Sequence, residues 1–284
     1  MPTLNHNSGP TKRTVVRSSV LDQLYLQARL AWGGILYGEY ESLTRISRTL
    51  CVKSHFSTKL SEALTLEYIA AHTTIPVPRV HAVYKDRRGY LNMVMDYVPG
   101  TELEKIWNAL GHEDRLSIVR QLRGFIDQLR ALQPPDPRTV QAVGGGPCKD
   151  TAISPPDFGP FPSVAAFHSF LGHDYVIKHE FPAGKFPDSR AAFMACTARP
   201  YRIMFAHCDI APRNIIVDGK QIVAIVDWEK AGWYPEYREF TQTFFANSWY
   251  PRVFWDLMEQ EGFSQKYPEE KSMEVILSTV FIRN

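Results

Sequence analysis

The stretch FAHCDIAPRNIIVDGKQIVAIVDWE, residues 205–229, decides how this chain folds and what chemistry it can carry. Three short apolar runs in and beside it have the length and the β-branched content of buried strands. The runs lie at 203–206, 215–217 and 222–226. Asp218-Gly219 is the dipeptide of a tight turn between the second and third runs. The sequence therefore predicts a strand, a loop and a hairpin, with Asp209 and Asp227 at strand ends.

The polar residues of this loop have the spacing of a phosphoryl-transfer site. In a kinase catalytic loop an Asp accepts the proton of the acceptor hydroxyl, and an Asn five positions later binds a metal ion. Asp209 and Asn214 have this spacing, and Asp227 lies thirteen positions beyond Asn214, across one hairpin. Because Mg²⁺ prefers hard oxygen ligands and retains waters, these groups and phosphate oxygens suffice to bind it.

Two motifs of this stretch resemble the signature of a known family. They are HCDIAPRN at residues 207–214 and VDWE at residues 226–229. The pair is similar to that of the aminoglycoside phosphotransferase and choline kinase-like family, particularly its fungal members, and the similarity continues through residues 75–80 and 231–237. The resemblance implies an α+β, protein kinase-like fold with two lobes. A small β-rich lobe at 1–97 would bind nucleotide, and a larger, mainly helical lobe at 98–284 would carry catalysis and acceptor binding.

The resemblance also assigns roles to individual residues. It makes Asp209 the catalytic base, Asn214 and Asp227 the Mg²⁺ ligands, and His207 a structural support for the loop. The implied reaction transfers the γ-phosphoryl group of ATP to a hydroxyl of a small molecule, such as an aminoglycoside, a choline-like alcohol or a secondary metabolite. The sequence does not distinguish among these acceptors.

Lys53 ends an otherwise apolar strand predicted within residues 45–53. A lysine on a buried strand is costly unless it contacts negative charge, which ATP phosphates provide. In kinases such a lysine is held by a carboxylate of the following helix. Glu62 and Glu67 both lie on the helix predicted at 57–72 and are about 140° apart around it, so at most one faces Lys53. Alignment with the family favours Glu62.

Two further segments are candidates for nucleotide contacts. Residues 93–100, MVMDYVPG, resemble the linker between kinase lobes, where Asp96 and Tyr97 would present main-chain groups to the adenine. An ordinary strand and turn fits this segment equally well. Residues 31–40 contain three glycines that do not form G-x-G-x-x-G, so a plain turn and a phosphate-covering loop both stay open.

Apolar periodicity predicts several helices. The helix at 57–72 is predicted to bury Leu60, Leu64, Tyr68 and Ala71, and further helices are predicted at 113–132, 164–170, 191–194 and 254–259. Residues 133–163 contain eight prolines and four glycines, which predicts a long loop that either folds over the acceptor site or runs passively over the surface. The first twenty residues are expected to be frayed.

Composition excludes several classes of protein. The net charge of +2 is too balanced for a nucleic-acid binder, which would carry a clustered excess of basic residues. No apolar run approaches the roughly 20 residues of a membrane helix, so a soluble protein is expected. The four cysteines have no C-x-x-C spacing, which predicts neither zinc nor disulfides and fits a reducing, cytoplasmic compartment. The oligomeric state is not readable from the sequence.

Three alternatives accompany the kinase interpretation. Cys208 stands where the family usually has glycine, so it is either a tolerated substitution or, beside His207, a nucleophile. The same departure and the poor glycine loop are compatible with a catalytically silent binding protein. A protein Ser/Thr kinase is disfavoured, because no A-P-E element or activation segment follows Asp227.

Overall fold

In the computed structural model of the protein, the described residues are 16–40, 43–55, 58–150, 153, 155–179, 189–245 and 252–280. The chain divides into two units. One comprises residues up to Ala63 together with Val80–Tyr97, and the other comprises Leu64–Arg79 together with the chain from Val98 onward. The sequence placed all of residues 1–97 in the first lobe, whereas 64–79 belong to the second unit. The functions assigned to the two lobes stay predictions.

A six-stranded sheet forms the first unit. Its strands are β1 Val16–Arg17, β2 Glu39–Tyr40, β3 Leu43–Arg45, β4 Leu50–Ser54, β5 Val80–Lys85 and β6 Leu91–Asp96. They lie in the order β1-β5-β6-β4-β3-β2, and all neighbours are antiparallel except β1 and β5. Because Val16 and Arg17 pair with β5, the expectation of a frayed terminus is wrong for these residues. Residues 1–15 lie outside the described part.

Helix α1, Val20–Tyr37, contains glycines that the sequence assigned to a turn or a phosphate-covering loop. Ser19 caps its start, and Gly38 ends it with a φ of 77°. Gly33 lies within the helix, where the backbone of α1 packs closely against β3. A Cβ at this position would lie 2.4 Å from the carbonyl oxygen of Arg45, so only glycine fits. The predicted glycine turn is therefore wrong, since the missing side chain serves helix packing.

Helix α2, Leu60–His72, begins in the first unit and continues in the second. Its predicted buried face is wrong, because Leu60, Leu64, Tyr68 and Ala71 are half-buried or exposed. The buried side chains are Glu62, Ala63, Thr65, Leu66 and Ile69. Apolar residues surround most of this helix, so periodicity alone does not choose its buried face.

The second unit is mainly helical. Its helices are α3 Leu103–Ile106, α4 His112–Ala131, α5 Val164–Phe170, α6 His173–Lys178, α7 Ser189–Ala198, α8 Arg238–Phe245, α9 Arg252–Glu261 and α10 Pro268–Val280. The long helix α4 confirms the segment predicted at 113–132, and it buries Ile118, Val119, Leu122, Ile126 and Leu129. No helix in the described ranges is both long and apolar enough to cross a membrane.

Short strands complete the second unit. They are β7 Thr101–Glu102, β8 Gln141–Ala142, β9 Cys148–Lys149, β10 Asp157–Phe158, β11 Ile203–Ala206, β12 Ile215–Asp218, β13 Gln221–Ile225 and β14 Gly232–Pro235. They form three small sheets, ordered β11-β14-β8, β13-β12-β7 and β10-β9. The connection at 133–163 supplies β8, β9 and β10 and buries Cys148 and Asp150, so it is not a passive surface loop.

Candidate active site

The loop between β11 and β12 carries the residues of the predicted catalytic motif. His207 follows β11, and a 3-10 turn at Pro212–Asn214 leads directly into β12. Proline suits the first position of this turn because its φ is already fixed. β12 and β13 form an antiparallel hairpin, with Gly219 at φ 58° in the turn. The predicted strand, loop and hairpin are confirmed.

Asp209 is buried, with 3% of its surface exposed, and its carboxylate has charged partners. Arg213 Nη2 lies 2.8 Å from Oδ1 and 3.0 Å from Oδ2, and Lys230 Nζ lies 3.3 Å from Oδ1. Asn214 Nδ2 donates to Oδ2 at 2.9 Å. Two cations and one amide therefore compensate the negative charge and fix the direction of the carboxylate.

Asn214 and Asp227 come together through the backbone of the hairpin. The amide of Val226 donates to the carbonyl of Asn214 at 3.0 Å, so Asp227 follows directly from a residue bonded to Asn214. Asn214 Nδ2 also donates to the main-chain carbonyl of Asp209 at 2.9 Å. With Nδ2 committed in this way, Oδ1 is the polar atom that Asn214 can offer to a cation. An amide oxygen and a carboxylate are ligands that fit Mg²⁺.

His207 is fully buried and connects the loop to Val226, the residue before Asp227. Its Nδ1 accepts from the amide of Asp209 at 3.1 Å, and its Nε2 lies 3.2 Å from the carbonyl of Val226. One nitrogen accepts while the other donates, which requires a neutral imidazole. Burial lowers the pKa of His207 to about 4 against the attraction of Asp209 and Asp227, and so favours this neutral form.

Glu239 on α8 holds the backbone just before Asp209. Its carboxylate accepts from the amide of His207 and, at 3.2 Å, from the amide of Cys208. Burial raises the pKa of Glu239 to about 7, although these two hydrogen bonds lower it. Glu239 thus fixes the orientation of two successive peptide groups in the loop between β11 and β12.

Cys208 adopts a φ of 61°, which explains why glycine is usual at this position. Its thiol is buried, and burial raises the pKa of the thiol well above its ordinary value, with Glu239 contributing in the same direction. A reactive cysteine needs a lowered thiol pKa and access to substrate. The nucleophile alternative therefore has no support, and Cys208 is a tolerated substitution.

A second buried ion pair lies next to the hairpin. Lys149 Nζ from β9 lies 2.6 Å from Glu229 Oε2, and their side chains are 6% and 15% exposed. Glu229 belongs to the 3-10 turn Trp228–Lys230 that follows Asp227. The connection at 133–163 thus braces the turn that also supplies Lys230 to Asp209.

Sequence reasoning identified the acidic and amide groups but missed their supports: Arg213, Lys230, Glu239 and the Lys149–Glu229 pair. Arg213 and Lys230 could have been predicted from the sequence, because each is a cation within a few positions of a predicted site residue. Glu239 could not, since it reaches the loop from thirty-two positions beyond His207. The aromatic group Trp228, Trp233, Tyr234 and Tyr237 is buried, as predicted.

The first unit contains the predicted lysine and its carboxylate. Lys53 Nζ lies 2.8 Å from Glu62 Oε1, with side-chain exposures of 14% and 2%. Glu62 stands in the first turn of α2, which confirms it over Glu67 as the partner of Lys53. The role of this pair toward a nucleotide stays a prediction.

Asp96 ends the last strand of the first unit, β6, and Tyr97 follows it. The amide of Tyr97 donates to the carbonyl of Thr49 at 2.8 Å, so any main-chain contact from Tyr97 to a nucleotide falls to its carbonyl. The side chain of Asp96 lies 2.6 Å from His81 Nε2, and its carbonyl lies 3.4 Å from the thiol of Cys51. Their predicted role in binding adenine stays a prediction.

The fold defines an α+β protein of the kinase-like class, as expected. The sequence model of the phosphotransferase enzyme family (APH) matches residues 47–271. The chain therefore belongs to this family.

Solved structures agree with this fold. The apo form of a thermostable mutant of aminoglycoside phosphotransferase APH(4)-Ia is 15% identical, with a TM-score of 0.54, covering 89% of this chain and 88% of that one. The GDP complex of wild-type aminoglycoside 2'-phosphotransferase-IIIa is 12% identical, with a TM-score of 0.56, covering 90% and 88%. The GDP and kanamycin complex of APH(2")-IIia is 12% identical, with a TM-score of 0.57, covering 90% and 89%. No curated protein matches the sequence.

Proposed function

We propose that this protein is an ATP- and Mg²⁺-dependent phosphotransferase that moves the γ-phosphoryl group to a hydroxyl of a small molecule. The observation that carries the proposal is the arrangement of Asp209, Asn214 and Asp227 on one loop and hairpin. Asn214 Nδ2 donates to the carboxylate of Asp209, and the amide of Val226, the residue before Asp227, donates to the carbonyl of Asn214. Membership in the phosphotransferase family supports it. The closer likeness to fungal members and a cytoplasmic location stay predictions.

In the proposed reaction, the acceptor oxygen attacks the γ-phosphorus and the bond to the β,γ-bridging oxygen breaks, which releases ADP. Asp209 receives the hydroxyl proton. Phosphoryl transfer has a loose transition state, so the protein contributes mainly position and charge. Arg213 and Lys230 hold the carboxylate of Asp209 in place, and His207 and Glu239 hold the backbone that carries it.

The nucleotide and the metal would be held by the remaining predicted residues. Asn214 and Asp227 would hold Mg²⁺, which when bound neutralises charge on the phosphates. Lys53, held by Glu62, would bind phosphate oxygens, and main-chain groups of Asp96 and Tyr97 would contact the base. Related solved structures contain AMP-PNP or GDP. Whether this protein prefers adenine or guanine nucleotides is therefore tested by comparing ATP with GTP directly.

The acceptor is proposed to be an alcohol of the aminoglycoside, choline-like or secondary-metabolite kind. Related phosphotransferases were solved with hygromycin B and with kanamycin, which favours a small polyhydroxylated or amino-bearing acceptor. A protein substrate is disfavoured. After Asp227 the chain continues at once through the turn Trp228–Lys230 and β14 into α8, which leaves no activation segment in this described stretch.

The test measures ADP release and thermal stability with ATP or GTP, each with and without Mg²⁺. Wild type should release ADP slowly and gain stability only with Mg²⁺ present. Asp227→Ala should lose this stabilisation, and Asp209→Ala should keep it while turnover falls by about 10² or more, the effect of removing a positioned base. Glu113→Gln, an exposed change at the start of α4, is the control.

Wild-type turnover in Asp209→Ala would remove the role of Asp209. A wild-type protein with no Mg²⁺-dependent shift and no ADP would favour the silent binding protein instead. Once nucleotide turnover is established, acceptors are screened by their acceleration of ADP release.

A further inference from the structure

Helix α1 exposes a continuous apolar surface, defined here as the α1 arc. Its nine members are Val20, Leu21, Leu24, Tyr25, Ala28, Ala31, Trp32, Ile35 and Leu36. At about 100° per residue they occupy one arc of roughly 160°, and no polar residue falls within it. All nine are exposed, with Leu21 at 78%, Trp32 at 65% and Ile35 at 79%.

The α1 arc is separate from the face that packs α1 on its own sheet. That opposite face buries Leu26 and Gly33 and places Leu26 in a cluster with Ile46, Val52 and Tyr84. Taking about 150–250 Å² for a whole large side chain, the α1 arc exposes on the order of 1,000 Å². The largest apolar patch of a typical monomer is about 300–600 Å². The arc is therefore large enough to be an interaction surface.

The sequence of the arc is complementary to itself. Leu21, Ala28 and Ile35 recur every seven residues, and Leu24 and Ala31 follow three positions after the first two, which is the spacing of a helix–helix seam. Two antiparallel copies related by a two-fold axis at Ala28 would place Ala28 against its equivalent. Leu21 would then face Ile35, so small residues meet at the centre and large ones at the ends.

We propose that two copies of this chain form a two-fold dimer in which their α1 arcs pack antiparallel. Antiparallel packing also opposes the two helix dipoles favourably. The area agrees with the roughly 800 Å² per partner of a standard interface. The inference does not rest on the proposed enzymatic function.

A lipid surface is a poorer occupant of the α1 arc. Helices that lie on membranes carry several lysines and arginines along their polar sides, which attract anionic lipids. The only charged residues of α1 are Asp22 and Arg29, one of each sign. This helix therefore lacks the basic flanks, whereas a neutral helix with small central residues suits close packing on a second copy.

The first test is the mass of the particle in solution, by sedimentation or light scattering over a range of micromolar concentrations. Wild type should be dimeric, and Leu24→Glu/Ile35→Glu should be monomeric with unchanged circular dichroism, since both side chains are already exposed. Val253→Glu, at an exposed apolar residue of α9, should remain dimeric. A wild-type protein that stays monomeric overturns the proposal. If that monomer also floats with phosphatidylserine vesicles, a lipid surface is the occupant of the α1 arc instead.

The second test fixes the orientation by disulfide cross-linking. The four natural cysteines are buried, so an introduced cysteine on α1 is the accessible thiol. Under oxidation Ala28→Cys should form a covalent dimer, and Leu21→Cys should cross-link to Ile35→Cys when the two variants are mixed. Efficient cross-linking of Leu21→Cys to itself would overturn the antiparallel arrangement.

Discussion

Cys208 keeps a side chain in a backbone conformation that L-residues rarely adopt, and this has a measurable consequence. At φ 61° the left-handed conformation costs roughly 1–2 kcal/mol. Cys208→Gly removes this cost but loses the buried thiol and adds roughly 0.5–1 kcal/mol of backbone entropy on folding. The free energy of unfolding should therefore change by less than about 1 kcal/mol. Cys208→Val, which is β-branched, should lose about 2 kcal/mol or more.

Chemical denaturation of wild type, Cys208→Gly and Cys208→Val measures these changes in the free energy of unfolding. Cys51→Val is the matched control, because Cys51 is equally buried but lies in β4, where a β-branched side chain is suited to the backbone. Equal destabilisation by the two valines would show that packing volume, and not backbone conformation, governs position 208.

At the residue scale, the sequence predicted the groups that chemistry demands and missed those that hold them. Asp209, Asn214 and Asp227 are recognisable because their spacing follows the loop and hairpin along the chain. Glu239 contacts the same loop only because α8 packs beside it, and no local pattern encodes that approach. Lys53 and Glu62 were paired correctly because one strand and the next helix bring them together.

At the scale of elements, the two glycines Gly33 and Gly124 are both helical but should respond oppositely to alanine. A Cβ on Gly33 would lie 2.4 Å from the carbonyl oxygen of Arg45, so α1 would have to shift away from β3. Gly124 is in α4 with open space around it. Gly124→Ala should stabilise by roughly 0.5–1 kcal/mol from helix propensity, whereas Gly33→Ala should destabilise. Thermal denaturation reports both, and a stabilising Gly33→Ala would contradict the close packing of α1.

The pair between β9 and the turn after Asp227 gives a second prediction at this scale. Lys149→Ala leaves the mostly buried Glu229 without this cation, which should cost roughly 3 kcal/mol. Lys149→Ala/Glu229→Ala should cost less than the sum of the single changes by about 1–3 kcal/mol. Lys220→Ala is the control, because Lys220 is exposed and its pair with the half-buried Asp114 is worth about 1 kcal/mol or less. Additive single effects in denaturant titrations would mean that the pair contributes little.

These elements also show why the sequence did not predict all of the fold. The strands 203–206 and 215–217 were predicted correctly, since short β-branched runs with turn residues between them have few alternatives. The glycines of α1 and the buried face of α2 were predicted wrongly. In both helices the outcome depends on which neighbour packs against the element, and that information lies elsewhere in the chain.

For the whole molecule, three buried groups of the described chain make stability depend on pH. Burial lowers the pKa of His207 and of His168 from 6.5 to about 4, and raises that of Glu239 from 4.5 to about 7. Each histidine contributes stability that is present above pH 6.5 and is lost as pH falls toward 4. Glu239 acts oppositely, since its contribution is present below pH 4.5 and is lost as pH rises toward 7.

Between pH 4.5 and 6.5 the two histidines outweigh the single carboxyl, so unfolding takes up a net of roughly one proton from these groups. Linkage then makes the protein more stable as pH rises, by about 1.4 kcal/mol per pH unit. Denaturant titrations across this range should show a shallower slope for His168→Gln, which removes one proton acceptor, and a steeper slope for Glu239→Gln, which removes the opposing group. If Glu239→Gln left the slope unchanged instead, Glu239 would have to be ionised throughout this range and bound by the His207 and Cys208 amides as an anion.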